Sequence, residues 1–292
     1  MKSPLTDPVL GWYARHARDL PWRRADATPW SILVSEFMLQ QTPVSRVLPA
    51  HAQWLSRWPD PPSLAAATQA DAIRQWDRLG YPRRAVRLHS SAQLITSRHA
   101  GVVPASADQL RGLPGIGSYT AAAVASFAFG QRHAVLDTNV RRVLARLITG
   151  QDLPRSSQSV AEVRLAESLL PADGGTAARW SVAVMELGAL VCTASRPQCA
   201  HCPVASQCRW LANGRPPAPG RRMAAAYEGS DRQCRGRLLA VLRAADAPVP
   251  ASALTGAWND SAQRARSLAA LVADGLVTEQ PDGSLALGGD VA

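Results

Sequence analysis

Four of the five cysteines, Cys192, Cys199, Cys202 and Cys208, lie in one stretch with C-x6-C-x2-C-x5-C spacing, and Cys234 stands apart. Four thiolates so close together suit a metal centre. A structural zinc site calls for two knuckles with short gaps, and only Cys199 and Cys202 form one. An iron–sulfur cube tolerates the two outlying arms better, so the spacing favours [4Fe–4S] over zinc. Disulfides are the third reading. It weakens because the N-terminal MKSPLTDPVLGWYARHARDLPWRR is charged throughout and has no apolar stretch of signal-peptide length. The chain is therefore expected in the reducing cytoplasm, where clustered thiols favour metal over disulfides.

Two carboxylates and a pair of glycines are the other candidates. Glu36 lies in SILVSEFMLQQT among Leu33, Val34, Phe37 and Met38, a setting in which a carboxyl is hard to ionise. Taken alone it reads as a glutamate snorkelling to solvent. Asp137, in AVLDTNVRRVLARL, stands just before a helical pattern and taken alone reads as an N-cap. In LPGIGSYT, Gly115 and Gly117 separate a short helix from an apolar one. Such a turn exposes backbone N–H groups at a positive helix end, which can hold a phosphate oxygen. A plain tight turn explains a lone G-x-G as well.

The elements that carry these residues are almost all helical. Apolar periodicity predicts helices over 6–17, 29–41, 43–58, 69–78, 82–98, 106–112, 118–129, 138–149, 157–170 and 176–192, with Pro, Gly and Asp clusters between them. The fold class is all-α. A core over 1–212 holds the cysteine loop at 192–208, and the proline-rich, basic stretch at 213–230 reads as a linker. Over 231–292, two helical patterns precede two short alternating strands around Pro-Asp-Gly, which suggests a small winged-helix-like module. Its Arg264 and Arg266 fit either phosphate contact or a solvated face. The formal charge of +10 on 292 residues, with 32 Lys+Arg against 22 Asp+Glu, makes a polyanion the natural partner. No run is long enough to span a membrane.

Taken in order, SEFMLQQT, LGYPRRA, LPGIGSYT, VLDTNVRRVLAR and the cysteine quartet resemble the MutY-type adenine DNA glycosylases, over about residues 5–212. These belong with endonuclease III to the helix-hairpin-helix superfamily. The resemblance implies a six-helix barrel domain plus an iron–sulfur cluster domain, a [4Fe–4S] cluster on the four cysteines, and double-stranded DNA with a mispaired adenine as partner. It implies a monomer at the nucleoid. It also gives Glu36 the role of general acid toward an adenine ring nitrogen, with a pKa raised toward ~6–7. Asp137 is then the ionised group that stabilises an oxocarbenium-like sugar, and Asn139 orients water or carboxylate.

Bifunctional relatives carry a Schiff-base lysine two residues after the hairpin's second glycine. Tyr119 stands there in this chain, which implies hydrolysis without strand cleavage and a phenol available to support Asp137. Base extrusion needs wedges, and Gln41 and Tyr81 match the family's wedge positions. Arg83, Arg84 and Arg87 are phosphate candidates, as are Arg196 and Arg209 on the cysteine loop. Arg23 matches an arginine near the pocket, with Arg24 as competitor. Family members typically append a Nudix-like domain that reads 8-oxoguanine; the end of this chain looks instead like the short ends of arginine-rich actinobacterial versions. The alternatives are a thymine glycosylase acting at T:G mismatches, which the QQT segment disfavours, and a non-catalytic iron–sulfur DNA-binding regulator.

Overall fold

The computed structural model describes residues 4–218 and 227–289. Residues 219–226 of the expected linker and 290–292 of the C-terminal module lie outside the described residues. Helices dominate: α1 (Thr6–His16), α2 (Pro29–Leu39), α3 (Val44–Arg57), α4 (Pro61–Ala65), α5 (Gln69–Trp76), α6 (Arg83–Arg98), α7 (Ala107–Arg111), α8 (Ser118–Phe129), α9 (Thr138–Leu144), α10 (Val160–Leu169), α11 (Gly174–Leu190), α12 (Arg209–Ala212), α13 (Asp231–Ala244) and α14 (Ser261–Ala273). The strands β1 (Val249–Pro250), β2 (Val277–Glu279) and β3 (Ser284–Leu287) form one antiparallel sheet in the order β1-β3-β2.

Differences from the periodicity reading have local causes. The second helix stops at Leu39, and Gln41 just beyond it takes a left-handed φ of 57°, which a helix cannot accommodate. The tenth begins at Val160 because Ser159 and Glu162 form a reciprocal capping box. The eleventh starts at Gly174, since Asp173 accepts from the Thr176 amide and so fixes the start ahead of two glycines. The pattern over 138–149 is α-helical only to Leu144, and Ala145–Thr149 closes in a single π turn. The helix α4, capped by Asp60 with Pro61 at its first position, was hidden in WPDPPS, where the prolines read as punctuation. The third strand, β1, is too short for an alternation signal.

The chain forms two compact units that interleave in sequence. The first gathers Met1–Ile32, Ala105–Arg111 and Ile116–Arg222; the second gathers Leu33–Pro104, Gly112–Gly115 and Met223–Ala292. In the first, α1, α9, α10 and α11 bury Trp12, Val143, Ala166, Trp180 and Leu187 in one core. In the second, Phe37, Met38, Trp54, Trp76, Leu88 and Ile95 are fully buried. Trp54 meets Trp76 edge-on at 5.6 Å, a favoured aromatic geometry. No helix among the described residues is long and apolar enough to cross a membrane.

Candidate active site and cysteine centre

In the first unit Asp137 is the N-cap of α9. Its Oδ1 accepts from the Val140 amide at 2.6 Å and its Oδ2 from Asn139 Nδ2 at 2.7 Å. Burial raises its carboxyl above the usual aspartate range, against those two hydrogen bonds and the Arg142 charge, which lower it. Both oxygens are thus held in place, and the cap geometry read from the sequence is the device that holds them.

Arg142 extends this network. Its Nη2 donates to Asn139 Oδ1 and to the Gly188 carbonyl, both at 2.7 Å, and its Nε to the Cys192 carbonyl at 2.8 Å. A Cβ on Gly188 would come within 2.7 Å of the Asn139 Cβ, so glycine is what lets α11 approach α9 this closely. One buried arginine therefore ties the D-x-N turn to the first residue of the cysteine quartet. The sequence reading did not single out Arg142.

The four thiols line one small cavity together with Arg146, Val191, Pro197, Ala205, Trp210 and Leu211. None of the cysteines is in a disulfide. Among the described residues no three Cys, His, Asp or Glu side chains converge closely enough to hold a single metal ion. Burial raises the Cys192 thiol and pushes Cys202 up to about 11. Arg146, 1% exposed, places Nη1 3.5 Å from Cys192 Sγ, pairs with Asp152 at 2.7 Å and lies 4.4 Å from the centre of the Trp210 ring. Arg196 and Arg209, read as phosphate candidates, are exposed.

A second charged cluster in this unit has no counterpart in the sequence reading. Glu186 on α11 is fully buried and accepts from Arg18 Nε and Nη2 and from Arg23 Nη1, each at 2.7 Å, and from the Arg18 amide at 3.1 Å. Although burial raises its pKa, the two guanidinium groups outweigh burial and hold the carboxyl at about 2. Arg23 is thus committed to an internal carboxylate, and Arg24 pairs with Asp19 on the surface.

The second unit carries Glu36 and both wedge positions. Glu36 is 5% exposed on the apolar α2. Gln41 and Tyr81 are exposed, and both adopt left-handed backbone, with φ of 57° and 48°, a strained state for non-glycine residues. Arg84 holds both turns. Its guanidinium donates to the carbonyls of Phe37, Met38 and Gln40 at 2.6–2.9 Å, to the Thr42 hydroxyl at 2.9 Å and to the Gly80 carbonyl at 2.9 Å. The first three are carbonyls that the end of α2 leaves without helical partners. Arg84 is 5% exposed, and burial pushes its pKa down to about 10. The phosphate role suggested for it is therefore corrected: its donors are spent inside the fold. Arg83 and Arg87 remain exposed.

The hairpin glycines differ. Gly115 needs its φ of 81°, and a Cβ there would lie 2.8 Å from Arg87 and 3.1 Å from Phe37. Gly117 is extended, with open space where a Cβ would stand, and caps α8 without a side-chain bond. A helix N-terminus of this kind carries the positive end of the helix dipole. Tyr119 lies half-buried in that turn.

Residues 34–167 match the family model described as HhH-GPD superfamily base excision DNA repair protein. The adenine DNA glycosylase of Mycobacterium tuberculosis is 52% identical over 290 residues, covering 97% of this chain and 93% of that protein. The chain belongs to the adenine DNA glycosylases. The human adenine DNA glycosylase is 42% identical over 211 residues, 69% of this chain and 38% of its own. Among solved structures, a thermostable thymine-DNA glycosylase superposes with a TM-score of 0.65 at 26% identity, over 71% of this chain and 95% of its own. Endonuclease III in a non-covalent DNA complex gives 0.60 at 23%, over 72% and 94%, a likeness of fold. The mostly helical fold expected of this enzyme from its sequence agrees with these neighbours.

Proposed function

We propose that this glycosylase removes adenine mispaired with 8-oxoguanine or guanine from double-stranded DNA, acting as a monomer on chromosomal DNA in the cytoplasm and leaving an uncleaved abasic site. The observation that carries the chemistry is Asp137, fixed by Val140 and Asn139, with its carboxyl raised by burial. In hydrolysis of the N-glycosyl bond, Glu36 gives its proton to the adenine ring nitrogen as the bond breaks. Asp137, ionised, stabilises the positive charge that develops on the sugar, and Asn139 keeps its orientation. Water completes the reaction. Tyr119 stands where an attacking amine would be needed, which supports hydrolysis without strand cleavage.

Extrusion of the adenine falls to Gln41 and Tyr81 as wedges. The turn of Gly115 and Gly117 is the helix-hairpin-helix contact to a backbone phosphate. Arg23 acts through its pairing with Glu186. A [4Fe–4S] cluster held by Cys192, Cys199, Cys202 and Cys208 would cross-link the 192–208 loop, and the four thiols that line one cavity support this reading. In this reading residues 1–212 are the glycosylase core, 213–230 a linker and 231–292 the added module. The test is single-turnover incubation with duplexes carrying A opposite 8-oxoguanine, A opposite G, or T opposite G, with and without alkali. Breaks in the adenine strand only after alkali support the proposal. Breaks without alkali refute the monofunctional reading, and product from T:G alone would favour a thymine glycosylase.

A further inference from the structure

The C-terminal module is built into the second unit. Leu238, Leu242, Leu254 and Leu271 share one core with Ala70 and Ile73 of α5. Gln69 Nε2 donates to the Gly275 carbonyl at 2.8 Å, and a Cβ on Gly289 would lie 2.7 Å from the Gln69 Cβ. Arg243 donates to the Asp77 carbonyl at 2.6 Å, and Asp274 faces Arg83 at 3.3 Å. The module therefore docks on the segment that leads into and out of the Tyr81 turn.

Its charges do not make a general phosphate-binding face. Residues 231–289 hold six arginines and six carboxylates, and most of those arginines are engaged. Arg266 pairs with Asp231 at 2.9 Å, Arg235 with Asp274, and Arg264 donates to the Trp258 carbonyl at 2.6 Å. Arg237 stacks on Trp258. Arg232 is different: it is exposed, leans on the Tyr227 ring at 4.9 Å, and directs Nη1 to the Tyr81 hydroxyl at 3.4 Å. Arg84 lies 5.5 Å from the centre of the same ring. A phenol that is 42% exposed on strained backbone is thus approached by two guanidinium groups, one from the wedge support and one from the added module.

We propose that Arg232 is a positioning residue for Tyr81 and that the C-terminal module tunes discrimination between bases opposite the adenine by fixing the pose of that ring. The inference rests on Tyr81 being the wedge. A ring free to swing stacks on any neighbouring base, whereas a ring held at its hydroxyl stacks well only where the opposite base presents the matching shape. Arg232 acts through the hydroxyl, so its effect should disappear when the hydroxyl does.

The test uses the full, cluster-loaded chain and compares Arg232→Ala, Arg232→Lys, Tyr81→Phe, the Arg232→Ala/Tyr81→Phe double variant and Tyr81→Ala. The readout is the ratio of single-turnover excision rates for A opposite 8-oxoguanine and A opposite G, alongside iron content. Arg232→Ala should lower that ratio about three- to tenfold, the range expected for one exposed hydrogen bond. Tyr81→Phe should match it, the double variant should be no worse than either single one, and lysine should restore part of the loss. Equal slowing on both duplexes, or additive losses in the double variant, would overturn the proposal by showing a phosphate contact instead. An unchanged ratio in Tyr81→Ala would overturn the wedge reading itself, an outcome distinct from failure of the coupling.

Discussion

Arg84→Met removes a buried cation that has no carboxylate partner among the described residues and satisfies five oxygen acceptors within 2.9 Å. Burial lowers its pKa from 12.5 to about 10, which corresponds to roughly 3 kcal/mol against the charged form. Each well-formed bond to a charged donor returns about 1.5 kcal/mol or more. The net favours the native arginine by about 4 kcal/mol, in line with the ~3–5 kcal/mol typical of removing one partner from a buried charged network. Methionine fills the volume but takes the guanidinium donor from the Phe37 and Met38 carbonyls at the end of α2, while the Gln40 and Gly80 carbonyls keep only the Thr42 hydroxyl at 3.4 Å and Trp76 Nε1 at 3.0 Å. Lysine, with a single ammonium, cannot bridge both turns and should lose about half as much. Urea unfolding of the cluster-loaded variants gives the stability, and 2-aminopurine at the target position reports extrusion. The expected result is a loss near 4 kcal/mol for methionine, together with weakened extrusion at DNA concentrations that still saturate binding. A methionine variant within 1 kcal/mol of the parent, extruding normally, would refute the claim that Arg84 holds the two wedge turns.

Glu186→Gln should cost about 3 kcal/mol at pH 7, because a carboxyl moved from 4.5 to about 2 carries that much linkage energy. The depressed pKa places this stability above pH 4.5 and removes it as pH falls toward 2, so the glutamine variant should lose that part of the acid-side slope in unfolding titrations; an unchanged slope contradicts the assignment. Asp137→Asn should reduce excision by at least about 100-fold while leaving the protein no less stable at pH 7, since a carboxyl raised by burial opposes folding once ionised and asparagine still caps α9. In the parent enzyme excision should fall as pH drops through the raised Asp137 pKa, with a midpoint above about 3.9; a midpoint below that value sinks the assignment. Arg142→Met should slow excision and lower iron and acid-labile sulfide per chain together, because one guanidinium bonds both Asn139 and the Cys192 carbonyl; full cluster content with slow excision would show that the two ends are independent.

Local signals made much of the site legible. The Asp137 cap, the Gly115 turn and the close-set cysteines are each short-range devices, so residue type and spacing within a few positions reveal them. Glu186 and Arg18 are 168 residues apart, and no local period encodes that meeting, so the pairing of Arg18 and Arg23 with a buried carboxylate was not legible. Arg84 was legible in principle. It stands four residues before Leu88 and eight before Ala92, on the buried stripe of α6, and the arginine-rich stretch around it masked that position. The union of the C-terminal module with α5 was hidden for the same reason as Glu186, since Ile73 and Leu238 meet only in the fold.

The most direct test of the account is Glu36→Gln assayed for both binding and excision on a duplex carrying A opposite 8-oxoguanine. Glutamine keeps the shape of this 5%-exposed side chain and removes the transferable proton. The account predicts duplex affinity within about threefold of the parent and adenine release slowed by at least about 100-fold. Excision at the parental rate would contradict the assignment of Glu36 as general acid and, with it, the central chemistry proposed for this enzyme.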